Sequence, residues 1–520
     1  MSGFLCANFD SKTNIWTGPR FPPSYNDNVS IGQLIFLNLT RHPKNIQQIN
    51  DTEQTTLTNE NVLDLSKRFA LKYLDMGLTS EDVIGVIASN TTYLMPVLFA
   101  SFFVNVPCHN LDVSFDKETL NIAGQKQGPS IVKEVVAELN LDCDIFTLNQ
   151  HIKGVQSIED LLSSVKSVDN FFLPLEIENG DQIAVILCSS GSTGLSKAVT
   201  ISNKLCTQIF GHFFDTDQDI ILTFSSLYWF SGLISILGSA ITGATHLVIS
   251  EPFNPEIALN LIEKYKVTKS FLSPSQIAMI VNSPDIDSRS LDSLKGITCG
   301  GSKLPVEIRS RFKQKLRPDC NIVFGYACTE RGLISWDFLG NRVESTGTVF
   351  FNTEVKIIDE NGNNLGSGED GEIVVRSNNK WNGYYGDKHA TDEVYDPESG
   401  WYKTGDKGHF DEDGYLYILP VAPTEIEEVI LEIPEVADVC LIGIPDVIKF
   451  NLLMGLVVKK EGTTVTEDEI RKYVSDKLPY FKHLTGVYFV DSLPRTPSGK
   501  ILRRKAKEIV EKLYFILYNI

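Results

Sequence analysis

QIAVILCSSGSTGLSKAV, residues 182–199, sets the reading of this chain. Its first seven residues form an apolar run with the length and β-branched content of a buried strand. Serine, threonine and glycine then crowd together ahead of Lys197. Glycines at a strand end let the backbone turn with positive φ and approach a ligand closely. Ser190, Ser192, Thr193, the backbone N–H groups and Lys197 offer donors to anionic oxygens, which points to phosphate chemistry. The P-loop pattern does not fit, because two residues separate Gly194 from Lys197 and Ala198 follows the lysine. On composition alone such a loop suits a linker equally well. The strand before it and the motifs after it favour the functional reading.

Working outward, helical periods alternate with short apolar runs such as VIGVIAS (83–89), THLVIS (245–250), SFLSPS (270–275) and GITCGG (296–301), with NPEIALNLIEKYK (254–266) among the helical stretches. Strand and helix in alternation predict parallel α/β layers, and ligands bind outside the carboxyl ends of such strands. CSSGSTG, SPSQ and CGGSK all follow apolar runs, so three polar loops are expected on one rim. Near residue 343 the texture changes, and the D-E-N-G and E-D-G turns between β-rich runs predict antiparallel hairpins. After residue 418 comes a compact tail of mixed α and β character. The expected fold is α/β: a large N-terminal domain over 1–418, with layered sheets and a small β-barrel-like part, and a small α+β domain over 419–520.

A chain of 520 residues exceeds one ordinary core. Its 66 acidic against 47 basic residues, net −19, give no broad basic surface for nucleic acid. Nine cysteines without C-x-x-C spacing suit a reduced compartment, so an intracellular location, cytoplasmic or peroxisomal, is expected even without a terminal S-K-L. The most apolar window, residues 93–107, is too short to span a bilayer and contains Pro96, which predicts a buried helix and no transmembrane segment.

Three further stretches carry chemistry. GYACTE (325–330) sets an aromatic, a hydroxyl and a carboxylate close together; Tyr326 suits stacking on a base and Glu330 suits Mg²⁺. YKTGDKGHFDEDGYLYI (402–418) holds Asp406 in what reads as a tight turn, where its carboxylate suits ribose hydroxyls. PRTPSGKILRR (494–504) presents Lys500 after a glycine. Taken singly, these read as a strand-end turn, an Asx-turn and a surface lysine.

Together and in this order, the stretches resemble the acyl-adenylate-forming superfamily of acyl-CoA synthetases, 4-coumarate–CoA ligases and beetle luciferases. The resemblance implies activation of a carboxylic acid with ATP and Mg²⁺ to an acyl-AMP, then transfer to coenzyme A. It implies that Ser190, Ser192, Thr193, Gly194 and Lys197 form the phosphate loop, and that Gly300, Gly301 and Ser302 border adenine and the acyl pocket. It further implies Tyr326 on adenine, Thr329 on phosphate, Glu330 on Mg²⁺, Asp406 on ribose, and Lys500 as the catalytic lysine brought in by a mobile lid. In SSLYWFSGL (225–233), Tyr228 and Trp229 match the segment lining the acyl tunnel. Their aromatic, apolar character suggests a medium- or long-chain fatty acid.

The chain departs from the family after Leu419. YLYILPVAPTEIEEVI passes straight into the next helix, about a dozen residues short of the usual hinge, ribose-contacting arginine and glycine hairpin. Pro420 stands where a swivel is usual, and its ring fixes φ near −65°. The segment after Pro107 is also compressed. These gaps predict that thioester formation suffers more than adenylation. Two rival readings follow: a luciferase-type monooxygenase, and a non-catalytic nucleotide- or acyl-binding relative.

Overall fold

Short strands, four of the parallel ones followed by a helix, generate the largest sheet. The computed structural model describes residues 7–23, 25–111, 132, 136–138, 140, 143–148, 155–165, 172–190, 196–210, 215–301, 304–337, 340, 342, 344–419, 423–444, 452–478, 482–494, 501 and 503–518. In the centre of a nine-stranded sheet, Asn321–Cys328, Gly296–Gly300, Lys269–Phe271, Ile220–Thr223, Thr245–Val248 and Ile46–Asn50 run parallel in that spatial order. Antiparallel strands close both edges: Gly332–Trp336 and Thr348–Val349 on one side, Thr55–Thr58 on the other.

Local sequence explains the helices between these strands. Asn254 caps Pro255–Tyr265, with proline in the first turn, and Ser273 with Gln276 forms a capping box on Pro274–Asn282. Both helices bury their apolar stripes against one face of the sheet, where Leu222, Leu247 and Ile297 meet Ile262, Ile277 and Phe312.

A second sheet has the order Ser196–Ser202, Ile183–Ser190, Cys108–Leu111, Ile84–Ile87, the last three parallel. The apolar run at residues 182–188 is thus a strand, extended to Ser190. Every residue of the helix Leu94–Phe103 is buried, as the hydropathy of residues 93–107 predicts, and among the described residues no helix is long and apolar enough to cross a membrane. The half-barrel sheet has six strands, in the order Asn8–Asp10, Ile15–Thr17, Thr353–Ile358, Gly371–Ser377, Tyr402–Phe410, Leu416–Ile418. Its hairpins beyond residue 350 match expectation. The two N-terminal strands are an addition that the sequence did not announce.

The chain divides into two compact units: residues 1–188, 198–404 and 408–417 in the first, and 189–197, 405–407 and 418–520 in the second. The second unit holds its own sheet, in which Val436–Ile444 pairs antiparallel with Leu452–Lys459, and Gly486–Phe489 joins in parallel. The helices Pro423–Leu431 and Glu467–Lys477 contribute Ile426, Ile430, Ile470 and Val474 to one core of this unit. The helix Arg503–Tyr518 contributes Ala506 and Val510 to another.

Candidate active site

Parallel strands deliver their following loops to one end of a sheet, and on the nine-stranded sheet that end collects the segments singled out in the sequence. Residues 225–229 follow Ile220–Thr223, and Ser273 follows Lys269–Phe271. Gly301 follows Gly296–Gly300, and Thr329 and Glu330 follow Asn321–Cys328. The strand Ile183–Ser190 belongs instead to the second sheet, so of the three polar loops read from the sequence two follow strands of the nine-stranded sheet and one does not. Ser192, Thr193, Gly194, Ser302, Lys500, Pro420 and the compressed segment after Leu111 lie outside the described residues. Ser190 ends its strand. Lys197 is buried, lies in the strand Ser196–Ser202 and belongs to the second unit, as does Asp406.

Backbone geometry at this rim demands glycine. Gly300 pairs in register with Gly325, whose carbonyl oxygen would stand 3.1 Å from a Cβ added at Gly300. A Cβ at Gly325 would lie 2.6 Å from the Trp336 indole, and Gly301 turns the chain with φ +94°. Tyr326 sits where the pairing with Gly332–Trp336 shifts register, a bulge that re-aims neighbouring side chains. Thr329 and Glu330 occupy the turn beyond. The expected tight turn at Asp406 is absent: Tyr402–Phe410 is a continuous strand with Gly405 at φ +76°, so Asp406 follows a kink within a strand. A single left-handed glycine bends a strand without ending its ladder.

Glu330 is only 7% exposed, and one of its oxygens accepts a 3.0 Å hydrogen bond from the Tyr384 hydroxyl. Burial, followed by the Glu330 charge, holds the phenols of Tyr384 and Tyr402 above their usual range, so both keep their protons as donors. The next residue, Arg331, is buried; it donates to Ser377 Oγ at 2.8 Å and to the Asn379 carbonyl at 3.0 Å. Neither Tyr384 nor Arg331 was selected from the sequence, and both fasten the turn to residues 377–384.

The aromatic pair divides sharply. Tyr228 is buried while Trp229 is 56% exposed, with the rings edge to face at 5.0 Å. Trp229 precedes the helix Phe230–Thr242, and Gly232 admits the close approach of the Ser226 carbonyl. On two neighbouring strands of the second sheet, His109 Nε2 and Cys188 Sγ are 3.4 Å apart. Burial lowers the imidazole to about 4 and raises the thiol to about 11, so the pair is neutral and not a thiolate–imidazolium couple. Among the described residues no three His, Cys, Asp or Glu side chains cluster as a metal cage.

Comparison with known proteins fits this geometry. The chain is 31% identical to 4-coumarate-CoA ligase 1 of Narcissus pseudonarcissus, over 66% of this chain and 68% of that protein. The solved luciferase-like enzyme from the nonluminescent Zophobas morio mealworm superposes with a TM-score of 0.71 at 26% identity, covering 78% of this chain and 98% of that one. A natural red emitting luciferase from Phrixothrix hirtus gives 0.68 at 26% identity, covering 95% and 98%. Residues 36–385 match the family described as AMP-binding enzyme and residues 425–500 match the AMP-binding enzyme C-terminal domain, so the chain belongs to that family and, with it, to the acyl-adenylate-forming superfamily.

Proposed function

We propose that this protein joins ATP to the carboxylate of an apolar acid, giving acyl-AMP and pyrophosphate, and then passes the acyl group to coenzyme A. In the first step a carboxylate oxygen bonds to the α-phosphorus and the bond to the β-phosphate oxygen breaks. In the second, the thiol sulfur bonds to the acyl carbon and AMP leaves. The observation that carries the reading is the buried Glu330 carboxylate, held by a hydroxyl, at the carboxyl end of parallel strands.

In this reading residues 1–418 act as the adenylation domain and 419–520 as its lid. Ser190, Ser192, Thr193, Gly194 and Lys197 hold the β- and γ-phosphates, while Tyr326 stacks on adenine beside Gly300, Gly301 and Ser302. Thr329 contacts phosphate and Asp406 the ribose. Lys500 compensates charge as one anion attacks another. Among the described residues no cluster of three metal-ligating side chains forms, and a single carboxylate such as Glu330 suits Mg²⁺ that arrives on phosphate oxygens, since this ion is commonly held by one or two carboxylates plus the nucleotide. When bound, Mg²⁺ supplies charge neutralisation to the leaving pyrophosphate.

The aromatic segment at Tyr228 and Trp229 supports a medium- or long-chain fatty acid. The test is ATP–pyrophosphate exchange across fatty acids of graded length and hydroxycinnamic acids. Exchange that rises with chain length supports this choice, and exchange confined to hydroxycinnamates overturns it. Lys500→Ala should cut exchange by about 10²–10³-fold while AMP binding persists; unaltered exchange in that variant removes Lys500 from the chemistry. Absence of exchange with every acid tested favours a non-catalytic binding relative. The short linker after Leu419 predicts acyl-CoA release slower than adenylation, so acyl-AMP should accumulate; equal rates defeat the linker argument. The luciferase neighbours motivate one more measurement: oxygen uptake with acid and ATP supports the oxidative reading instead.

A further inference from the structure

We propose that Tyr384 is a positioning residue that holds the Glu330 carboxylate in register with the strand leaving the phosphate loop. The inference rests on the reading of Glu330 as the carboxylate that holds Mg²⁺.

Two sets of contacts meet on this one residue. Its backbone forms an antiparallel bridge with Val199, in the strand Ser196–Ser202 that directly follows the loop in sequence. On either side of it the chain is pinned to the same strand. The Tyr385 N–H donates to the Ala198 carbonyl at 2.7 Å, Thr200 Oγ1 donates to the Gly383 carbonyl at 2.6 Å, and Trp381 Nε1 donates to the Thr200 carbonyl at 3.2 Å. Its side chain reaches the other way, and the hydroxyl donates to Glu330 at 3.0 Å. Arg331 fastens the adjacent position of the turn to Ser377 and Asn379. One tyrosine side chain thus bridges that strand and the carboxylate. Both ends of the hydrogen bond are 7% exposed, so water is a poor substitute for the missing donor. Fixing a carboxylate by an outer hydrogen bond is how partners beyond the first ligand tune a metal site, and losing one typically costs about 10–100-fold in metal affinity.

Plain packing is the competing explanation, since the Tyr384 ring also meets Trp381 edge to face at 4.9 Å. Tyr384→Phe keeps that contact and the backbone bridge and removes only the hydroxyl. The measurement is Mn²⁺ binding by electron paramagnetic resonance to the full chain, with a methylene analogue of ATP present. AMP binding and thermal unfolding are recorded on the same samples. In Y384F, Mn²⁺ should bind about 10-fold more weakly, with AMP binding changed less than about twofold. Replacing Tyr384 by 4-aminophenylalanine, which restores a donor, should recover most of the loss. Should Y384F not fold, 4-methylphenylalanine fills the hydroxyl's volume without donating and repeats the test. Wild-type Mn²⁺ affinity in Y384F, with weakened binding in Glu330→Gln, overturns the role of Tyr384 and leaves the reading of Glu330 intact. Wild-type affinity in E330Q sinks the reading of Glu330 and the role of Tyr384 with it. Equal losses of Mn²⁺ and AMP, not rescued by the amino variant, assign the tyrosine to packing alone.

Discussion

Leu247 and His246 are neighbours on one strand, yet they face opposite layers of the nine-stranded sheet, and the two layers differ in kind. Leu247 joins Leu222, Ile262, Ile277, Ile297 and Phe312 in a layer of hydrocarbon side chains. On the other face His246 stands in register with Gln48, whose amide donates to the Thr92 carbonyl at 3.1 Å; Asn50 reaches the Thr92 hydroxyl at 3.3 Å. His246 is buried, and neither ring nitrogen has a hydrogen-bond partner among the described residues. Two layers in one sheet thus answer to different solvents: one is indifferent to pH, and the other depends on its buried imidazole staying neutral.

The hydrocarbon layer should break hardest. Leu247→Ala leaves a cavity in a site with no exposure and is expected to cost about 3 kcal/mol, equally at pH 7 and pH 5, in urea unfolding. A strongly pH-dependent cost would erase the contrast between the layers.

Acid should act on the other face. Burial lowers His246 on that face, and likewise His109 on the second sheet, to about 4, against 6.5 for the ordinary imidazole. The unfolded chain then takes up protons near 6.5 while the fold resists until about 4, so stability is intact above 6.5 and drains away as pH falls toward 4. By pH 5 the loss is about 2 kcal/mol for each histidine. His246→Leu should remove its share of the acid loss, and an unchanged pH profile in that variant refutes the assignment.

The smallest expected effect is Gln48→Leu. Here the Thr92 carbonyl loses its donor while hydrocarbon is gained, a net cost of about 1 kcal/mol. A stabilised variant would show that the polar pairing is dispensable.

What was legible in the sequence follows from range. The strand Ile183–Ser190 and the buried helix Leu94–Phe103 declare themselves because their apolar patterns are local and continuous. Asn8–Asp10 and Ile15–Thr17 do not: each has three residues, too few for a visible alternation, and Thr17 finds its partner at Glu354. THLVIS reads simply as an apolar strand, and its histidine gives no sign that it will sit unpaired. At the site, glycines and the Thr329–Glu330 pair announce themselves as a motif. Tyr384 cannot, because its position is fixed by pairing with Val199, far away in sequence. The tight turn read at Asp406 failed because a glycine beside an aspartate also suits a kinked strand.

The last helix of the second unit carries one more consequence. Arg503 binds Glu427 at 2.8 Å and the Leu441 carbonyl at 3.1 Å, while Glu427 accepts from the Leu441 N–H at 2.7 Å. Three segments distant in the chain close on one another through a single guanidinium, in a unit whose core also takes Ala506 and Val510. This helix is a keystone: losing Arg503 would strand a buried carboxylate, so Glu427 and Arg503 should be inherited as a pair or lost as a pair.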